Sequence, residues 1–244
     1  VLNQLDAYAE SILLDPGEDL IVSWLPLYHD MGLVACFLLP ILKGVPLVLM
    51  SPFDWVRAPY RLLQAVSKYG GTLSWLPNFA YNFCAHKIRE RHLEGVDLSS
   101  WRGLINCSET VQWESHQKFF EAIQGYGLSY QALQTSYAMA ENTFGVTQSR
   151  MGNEPALDDI KESEFFEEQV AQPADGEAES IRMMSSGQPI RNTEVRVVDE
   201  EGNQVKDRVV GEISLRSDCM LTEYYNRPGI TEDAFRDGWY LTGD

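Results

Sequence analysis

Positive charge is scarce in this sequence. Nineteen Lys and Arg stand against 36 Asp and Glu, a formal net charge of −17. So acidic a chain is repelled by phosphate backbones and anionic lipid, which excludes nucleic acid or such a membrane as its main partner. Cysteine is scarce too. Cys36, Cys84, Cys107 and Cys219 are widely spaced, with no Cys-x-x-Cys pair. That excludes a disulfide framework and a zinc site, and fits reduced, mostly buried thiols in a cytoplasmic protein. Long hydrophobic runs are missing as well. The most apolar window, 31–50 (MGLVACFLLPILKGVPLVLM), is cut by Pro40, Lys43, Gly44 and Pro46 into pieces too short to span lipid. A helix ending near Gly44 and a buried strand from Pro46 to Met50 is expected there instead, with no integral membrane segment. The opening VLNQLDAYAE has no basic region before an apolar one, so no signal peptide is read there. No internal repeat is visible. An initiator Met is lacking and Gly243-Asp244 stops in mid-motif, so a piece of a longer protein is expected.

Apolar material is ample. With 244 residues, 44% hydrophobic and 11% aromatic, the chain can build one large or two modest cores. Residues 20–28 (LIVSWLPLY) open with a short β-branched and apolar strand, and a helix begins near His29-Asp30-Met31-Gly32. In 57–69, Leu62, Leu63, Val66 and Tyr69 fall at helical spacing, predicting one buried face that ends at Gly70-Gly71. Thr72–Leu76 reads as a strand, and Asn78 as the N-cap of a helix carrying Phe79, Phe83 and Ile88. Leu104-Ile105-Asn106 is the next strand and 112–123 the next helix. Strands alternating with helices over short links predict an α/β fold with a mostly parallel sheet flanked by helices over 1–150.

The pattern changes after about residue 150. Residues 151–180 hold ten acids (Glu154, Asp158, Asp159, Glu162, Glu164, Glu167, Glu168, Asp175, Glu177, Glu179) against one base, Lys161. Such a run reads as a solvated, mobile loop or insertion. From 181 to 244 the pattern is all-β: EVRVVD (194–199) alternates, Glu200-Glu201-Gly202-Asn203 reads as a turn, and VVGEISLRS (209–217) as the return strand. The expectation is a boundary near 180 and a small β-barrel-like subdomain after it.

One stretch invites chemistry, SYAMAENT (136–143). Tyr137 is an aromatic that can stack on a base or pack in a core. Ala138 and Ala140 are small enough to let a ligand approach the backbone. Glu141 is a surface charge, a helix N-cap or a ligand for a hard cation such as Mg²⁺.

Four stretches read together narrow this: SWLPLYHDMGL (23–33), INCSET (105–110), SYAMAENT (136–143) and LTEYYNRPGITEDAFRDGWYLTGD (221–244). The set, in this order, resembles the adenylate-forming enzymes, which are acyl-CoA synthetases, peptide-synthetase adenylation domains and luciferases. LPLYHDMGL and PNFAYNFC (77–84) look most like fatty acyl-AMP ligases. The resemblance covers essentially the whole chain and implies part of the large domain of such an enzyme. It implies ATP as substrate, an acyl-adenylate as product, and a fatty acid passed to an acyl carrier protein, or to CoA in the sister branch. A degenerate, non-catalytic relative serving as a binding module is the alternative. An amino-acid-activating domain would offer an Asp in its pocket, and none stands in 77–84.

By the same resemblance Glu141 is the Mg²⁺ ligand and Tyr137 stacks on adenine. Ser108 and Glu109 line the other side of the base. Ala138, Met139 and Ala140 belong to the same nucleotide-binding segment, and Asp244 takes the ribose hydroxyls. His29 stands beside the acyl carboxylate, with a helix N-terminal histidine capped by Asp30 as its plain alternative. Asn78 and Phe79 form the acyl-pocket wall. Trp239 and Tyr240 read as core, and Arg227 as a structural surface residue in a turn. Within the acidic segment, Leu157, Ile160, Phe165 and Phe166 are candidate contacts docking an insertion that disfavours the CoA-dependent step.

The chain also departs from the family. Cys107-Ser108-Glu109-Thr110 replaces a Gly-Ala-Glu-Pro pattern, and Ala138 replaces a Gly. Trp75-Leu76 replaces two glycines, where bulk shortens or redirects the acyl tunnel. The upstream Ser/Thr/Gly-rich phosphate loop with its Lys and the downstream domain with the catalytic Lys are not in these residues. The 244-residue chain alone is therefore expected not to catalyse adenylation.

Overall fold

The structure is a computed structural model and describes residues 1–176 and 179–244. Glu177 of the acidic run lies outside the described residues. Helix α1 (Leu2–Ser11) buries Leu5 and Tyr8, with Ile12 just beyond its end, one apolar stripe at helical spacing. β1 (Ile21–Ser23) follows, and then a π-helix, Met31–Leu38, that runs into α2 (Leu39–Lys43). Asp30 caps the π-helix by accepting from the Met31 N–H at 2.8 Å. Gly32 is required there, because a Cβ at this position would sit 2.2 Å from the Pro26 carbonyl oxygen. β2 (Leu47–Leu49), α3 (Pro52–Arg57) and α4 (Tyr60–Tyr69) come next. α4 ends on Gly70, left-handed at φ 68° as a helix C-cap favours. β3 (Leu73–Leu76), α5 (Asn78–Lys87), β4 (Gly103–Asn106), α6 (Trp113–Ile123), β5 (Leu133–Ala138) and β6 (Gly145–Gln148) complete the α/β portion.

The remaining elements are β7 (Leu157–Lys161), α7 (Glu162–Glu167), β8 (Ser180–Met184), β9 (Gln188–Pro189), β10 (Thr193–Val198), β11 (Glu212–Ser217), α8 (Pro228–Ala234), β12 (Phe235–Arg236) and β13 (Trp239–Leu241). Seven strands form the main sheet in the order β2-β1-β3-β4-β5-β6-β9. From β2 to β5 the pairs are parallel, and β6 and β9 add antiparallel pairs at one edge. The mostly parallel sheet with flanking helices is the one expected. A four-stranded antiparallel sheet, β10-β11-β13-β12, forms the small β unit, and β7 and β8 pair separately. Since β8 pairs with β7 and β9 with β6, a division at 180 falls inside strand pairing, and the chain enters the four-stranded sheet only after Pro189.

One large core runs through the α/β portion. A second cluster joins Val146 of β6 to Leu215 of β11 and Tyr240 of β13, with Tyr137 and Met139 packed on it. It seats the small β unit on the main sheet.

Four expectations are corrected. The strand at 46–50 is not buried: β2 is the edge strand and Leu49 is exposed. Tyr69 leaves the buried stripe of α4 and lies half exposed under the Lys68 ammonium. The acidic segment is no structureless loop, because β7, α7 and β8 use part of it. Asn78 is no N-cap. It opens α5 from inside and is buried in a polar network.

That network ties β4 to α5 and α6. Asn106 donates to Asn78 Oδ1 (2.9 Å), and its Nδ2 also lies 3.1 Å from His116 Nε2. Asn78 donates to Ser115 Oγ (3.0 Å) and accepts from the Gln112 N–H (3.1 Å). His116 is fully buried, and burial lowers its pKa to about 4. The folded state therefore keeps it neutral, while the unfolded chain takes up the proton near 6.5. Stability from this group is whole above that value and is lost as the pH falls toward 4, by up to about 3 kcal/mol. Chemical denaturation followed across this window should show the loss. His116→Gln, which keeps an acceptor for Asn106, should flatten it.

Candidate functional site

Open α/β sheets place ligands outside the carboxyl ends of their parallel strands, where the strand order switches direction. Here the switch lies between β1 and β3, since β2 lies beside β1 on one side while β3, β4 and β5 follow on the other. His29 and Asp30 follow β1, Asn78 and Phe79 follow β3, Ser108 and Glu109 follow β4, and Met139, Ala140 and Glu141 follow β5. The small β unit approaches the same ends with Tyr224, Tyr240, Thr242 and Asp244. A cleft of ≈ 330 Å³ is lined by His29, Asp30, Ser108, Glu141, Tyr240 and Asp244, together with Ala138, Met139, Ala140 and Thr242. A neighbouring cleft of ≈ 720 Å³ shares Ser108, Ala138 and Asp244 and adds Tyr137, Glu109 and residues of β8.

Local structure sets each group. A register shift between Tyr137 and Ala138 in the β5–β6 pairing turns the strand end toward the cleft. The Tyr137 hydroxyl donates to Asp244 Oδ2, linking β5 to the last residue of the chain. Burial, then the bond and charge of Asp244, push the Tyr137 phenol well above its usual range, so it stays protonated. Asp244 is tethered as well, its carbonyl accepting from the Ile213 N–H (2.9 Å) and its own N–H donating to Thr242 Oγ1 (3.1 Å).

Glu141 lies in the 3₁₀ turn Ala140–Asn142. Its carbonyl accepts from the Leu221 N–H (2.6 Å), and its Oε1 accepts from the Tyr224 hydroxyl (2.9 Å). Thr143 next to it is left-handed, at φ 67° and ψ −45°. A β-branched residue there is strained by roughly 1–3 kcal/mol. The strain is held because the Thr143 hydroxyl donates to the Cys219 carbonyl (2.9 Å) and Asn142 donates to the Gly145 carbonyl (2.7 Å). Ser108 is left-handed too, at φ 72°.

The candidates do not all meet. His29 Nδ1 lies 2.7 Å from Asp30 Oδ1, and its ring is exposed at the cleft. The Glu109 carboxylate lines the larger cleft, but its Oε2 accepts from the Phe79 N–H (2.8 Å) at the start of α5. Phe79 is half exposed, edge-on to Trp24 and Trp55, which stack at 3.7 Å. The Asn78 amide is engaged in the network behind it. Trp75 is fully buried, and its indole N–H donates to the Tyr8 hydroxyl of α1 (2.8 Å).

Sequence reasoning missed Tyr224, Arg182, Met183 and Met184, and placed Tyr240 in the core alone. Tyr240 is core, and it also lines the cleft. Its position in a motif strand was a signal; the residues of β8 gave none, because their place comes from pairing with β7. In the acidic segment only Ile160 of the four candidate contacts is fully buried, while Leu157 and Phe166 are exposed. Contacts that hold the segment include its pairing with β8, whose Arg182 lies over the Trp113 ring of α6 (4.7 Å), and the Ala171 N–H, which donates to the Arg208 carbonyl (2.8 Å).

Comparison with known proteins bears on the fold and the family. The AMP-binding enzyme family matches residues 1–225. The medium-chain fatty acid–[acyl-carrier-protein] ligase TtuA of Teredinibacter turnerae is 32% identical over 86% of this chain and 33% of its own. The crystal structure of a fatty acid AMP ligase from Legionella pneumophila superposes with a TM-score of 0.95 at 35% identity, over all of this chain and 43% of that one. The Legionella pneumophila fatty acyl-adenylate ligase in complex with acyl adenylate and pyrophosphate gives 0.94, also at 35%, over all of this chain and 44% of that one. The chain thus spans well under half the length of these relatives.

Glu109 serves α5 as a cap supplied from another loop, since that helix has no side-chain cap bond of its own. Glu109→Ala should lower stability by about 1 kcal/mol in a denaturation experiment, as loss of an N-terminal cap does. Unchanged stability would show that the bond contributes nothing.

Proposed function

The chain belongs to the AMP-binding enzyme family, and on that premise we propose that it forms the central part of an ATP-dependent fatty acyl-AMP ligase. Such an enzyme joins a fatty acid carboxylate to the α-phosphate of ATP, releases pyrophosphate, and passes the acyl group to an acyl carrier protein. The observation that carries this reading is the convergence of His29, Ser108, Glu141 and Asp244 on one cleft at the carboxyl ends of β1, β4 and β5.

Each side chain suits a part of the task. Tyr137, bonded to Asp244 through its hydroxyl, offers a ring face to the adenine beside the Ser108 loop. The Asp244 carboxylate accepts hydrogen bonds from the ribose hydroxyls. His29 meets the acyl carboxylate, and Phe79 with the stacked Trp24 and Trp55 gives an apolar wall for the acyl chain. Asn78 supports that wall from behind.

Two anions must meet here, and the smaller cleft is itself lined by Asp30, Glu141 and Asp244 with no Lys or Arg. Among the described residues no three His, Cys, Asp or Glu side chains converge to hold a metal ion by themselves. This donor set fits Mg²⁺ arriving with the nucleotide, held by one carboxylate, Glu141, and the phosphates. Bound so, the ion would offset the charge of the phosphates.

The acidic segment supports one acceptor over the other. Paired with β8, whose Arg182 lies over Trp113 of α6, and bonded to the 208–210 stretch, it restrains the surroundings of the small β unit, which supports transfer to a carrier protein over CoA. No helix among the described residues is long and apolar enough to cross a membrane.

In the full-length protein, Glu141→Ala should lower ATP–pyrophosphate exchange at least about a hundredfold while leaving the melting temperature nearly unchanged. Full exchange in that variant would remove Glu141 from the mechanism. Offered CoA and an acyl carrier protein side by side, the full-length protein should load the carrier. The 244-residue chain alone should show no exchange.

A further inference from the structure

Glu141 is held by more than its own turn. One of its two carboxylate oxygens, Oε1, accepts from the Tyr224 hydroxyl at 2.9 Å. The Tyr224 hydroxyl oxygen in turn lies 2.8 Å from the Tyr240 hydroxyl. A phenol has one proton. Since Tyr224 gives its proton to the carboxylate, the proton between the phenols must come from Tyr240. The chain of donors therefore runs in one direction, Tyr240 to Tyr224 to Glu141. The backbone repeats the link, for the Leu221 N–H donates to the Glu141 carbonyl. Tyr225, the other tyrosine of the YYN pair, is 87% exposed. The two adjacent tyrosines thus divide, one turned to Glu141 and one to solvent.

We propose that Tyr224 and Tyr240 are positioning residues which occupy one oxygen of Glu141 and present the other to the cation of the bound nucleotide. This rests on the reading of Glu141 as that cation's ligand, and goes beyond it by naming the groups that fix its geometry. A free glutamate samples several rotamers and can chelate with both oxygens. A glutamate held at Oε1 is pre-organised to bind through Oε2, and less entropy is lost when the ion arrives. The device also makes the cation site depend on the seating of the small β unit, which supplies both phenols.

The test is Mn²⁺ affinity of the full-length protein saturated with ATP, read by electron paramagnetic resonance. Tyr224→Phe keeps the ring and removes the donor, and should weaken Mn²⁺ about tenfold or more, as loss of a hydrogen bond to a charged group does. Tyr240→Phe, one bond further away, should weaken it less, by about threefold. Tyr225→Phe should change nothing. The melting temperature and the ATP affinity without metal should stay as they are, which a general loss of structure would not allow. Glu141→Gln should weaken Mn²⁺ at least as much as Tyr224→Phe, and adding Tyr224→Phe to it should cost nothing more. Undiminished Mn²⁺ affinity in both phenylalanine variants, with weakened affinity in Glu141→Gln, overturns the positioning role alone. Undiminished affinity in Glu141→Gln overturns the ligand assignment on which it rests.

Discussion

The cleft depends on one short turn held between two sheets. Ala140–Asn142 leaves β5 and must re-enter β6 within a few residues, so Thr143 is forced into a left-handed conformation that β-branched residues avoid. The turn persists because Asn142 is anchored to Gly145 and because the small β unit grips it from outside at Thr143, Glu141 and the Glu141 side chain. Remove the small unit and Glu141 loses the Leu221 N–H from its carbonyl and the Tyr224 hydroxyl from its carboxylate. The second core cluster, where Val146 meets Leu215 and Tyr240, supplies the apolar contact that keeps the grip in place.

Electrostatics follows from the same joint. A cleft lined by three carboxylates and neutral hydroxyls repels an anionic nucleotide unless a cation accompanies it. The phenols of Tyr137 and Tyr224 give two of these acids a hydrogen-bond donor, and Tyr240 bonds to Tyr224. Each hydroxyl takes part in bonding an acid or the next phenol, so Glu141 and Asp244 are satisfied while still reaching solvent. Farther back, the Asn78–Asn106–His116 network stiffens the start of α5 and the loop after β4. Glu109 joins those two elements again at their outer side.

Much of the fold was legible as period and punctuation. The stripe of Leu62, Leu63 and Val66, the left-handed Gly70, and the apolar runs of β3 and β4 are local signals, and the parallel sheet follows from their alternation. Errors came where a local signal had a distant competitor. Asn78 resembles an N-cap because it precedes a helix, yet Asn106 and Ser115, far away in sequence, bind its amide. The strand at Leu47–Leu49 is apolar enough to be buried, but sheet order puts it at an edge. The acidic run reads as loop by charge alone, while pairing of Asp158 and Asp159 with Met183 and Arg182 turns part of it into sheet.

For the site, the sequence by itself determined which chemical groups are present and the order in which they come: His29, Ser108, Tyr137, Glu141 and Asp244, in motifs whose company resembles one family. It did so because those motifs are contiguous, and identity and spacing survive without folding. Only the tertiary structure decided which groups face one another. Tyr240 is a core residue by composition and lines the cleft by position. Tyr224 and Tyr225 are indistinguishable in the sequence, and one binds Glu141 while the other points to water. The difference arises because the facing of a side chain in the small β unit depends on how that unit seats on β6, a contact between residues some seventy or more positions apart that no local pattern encodes.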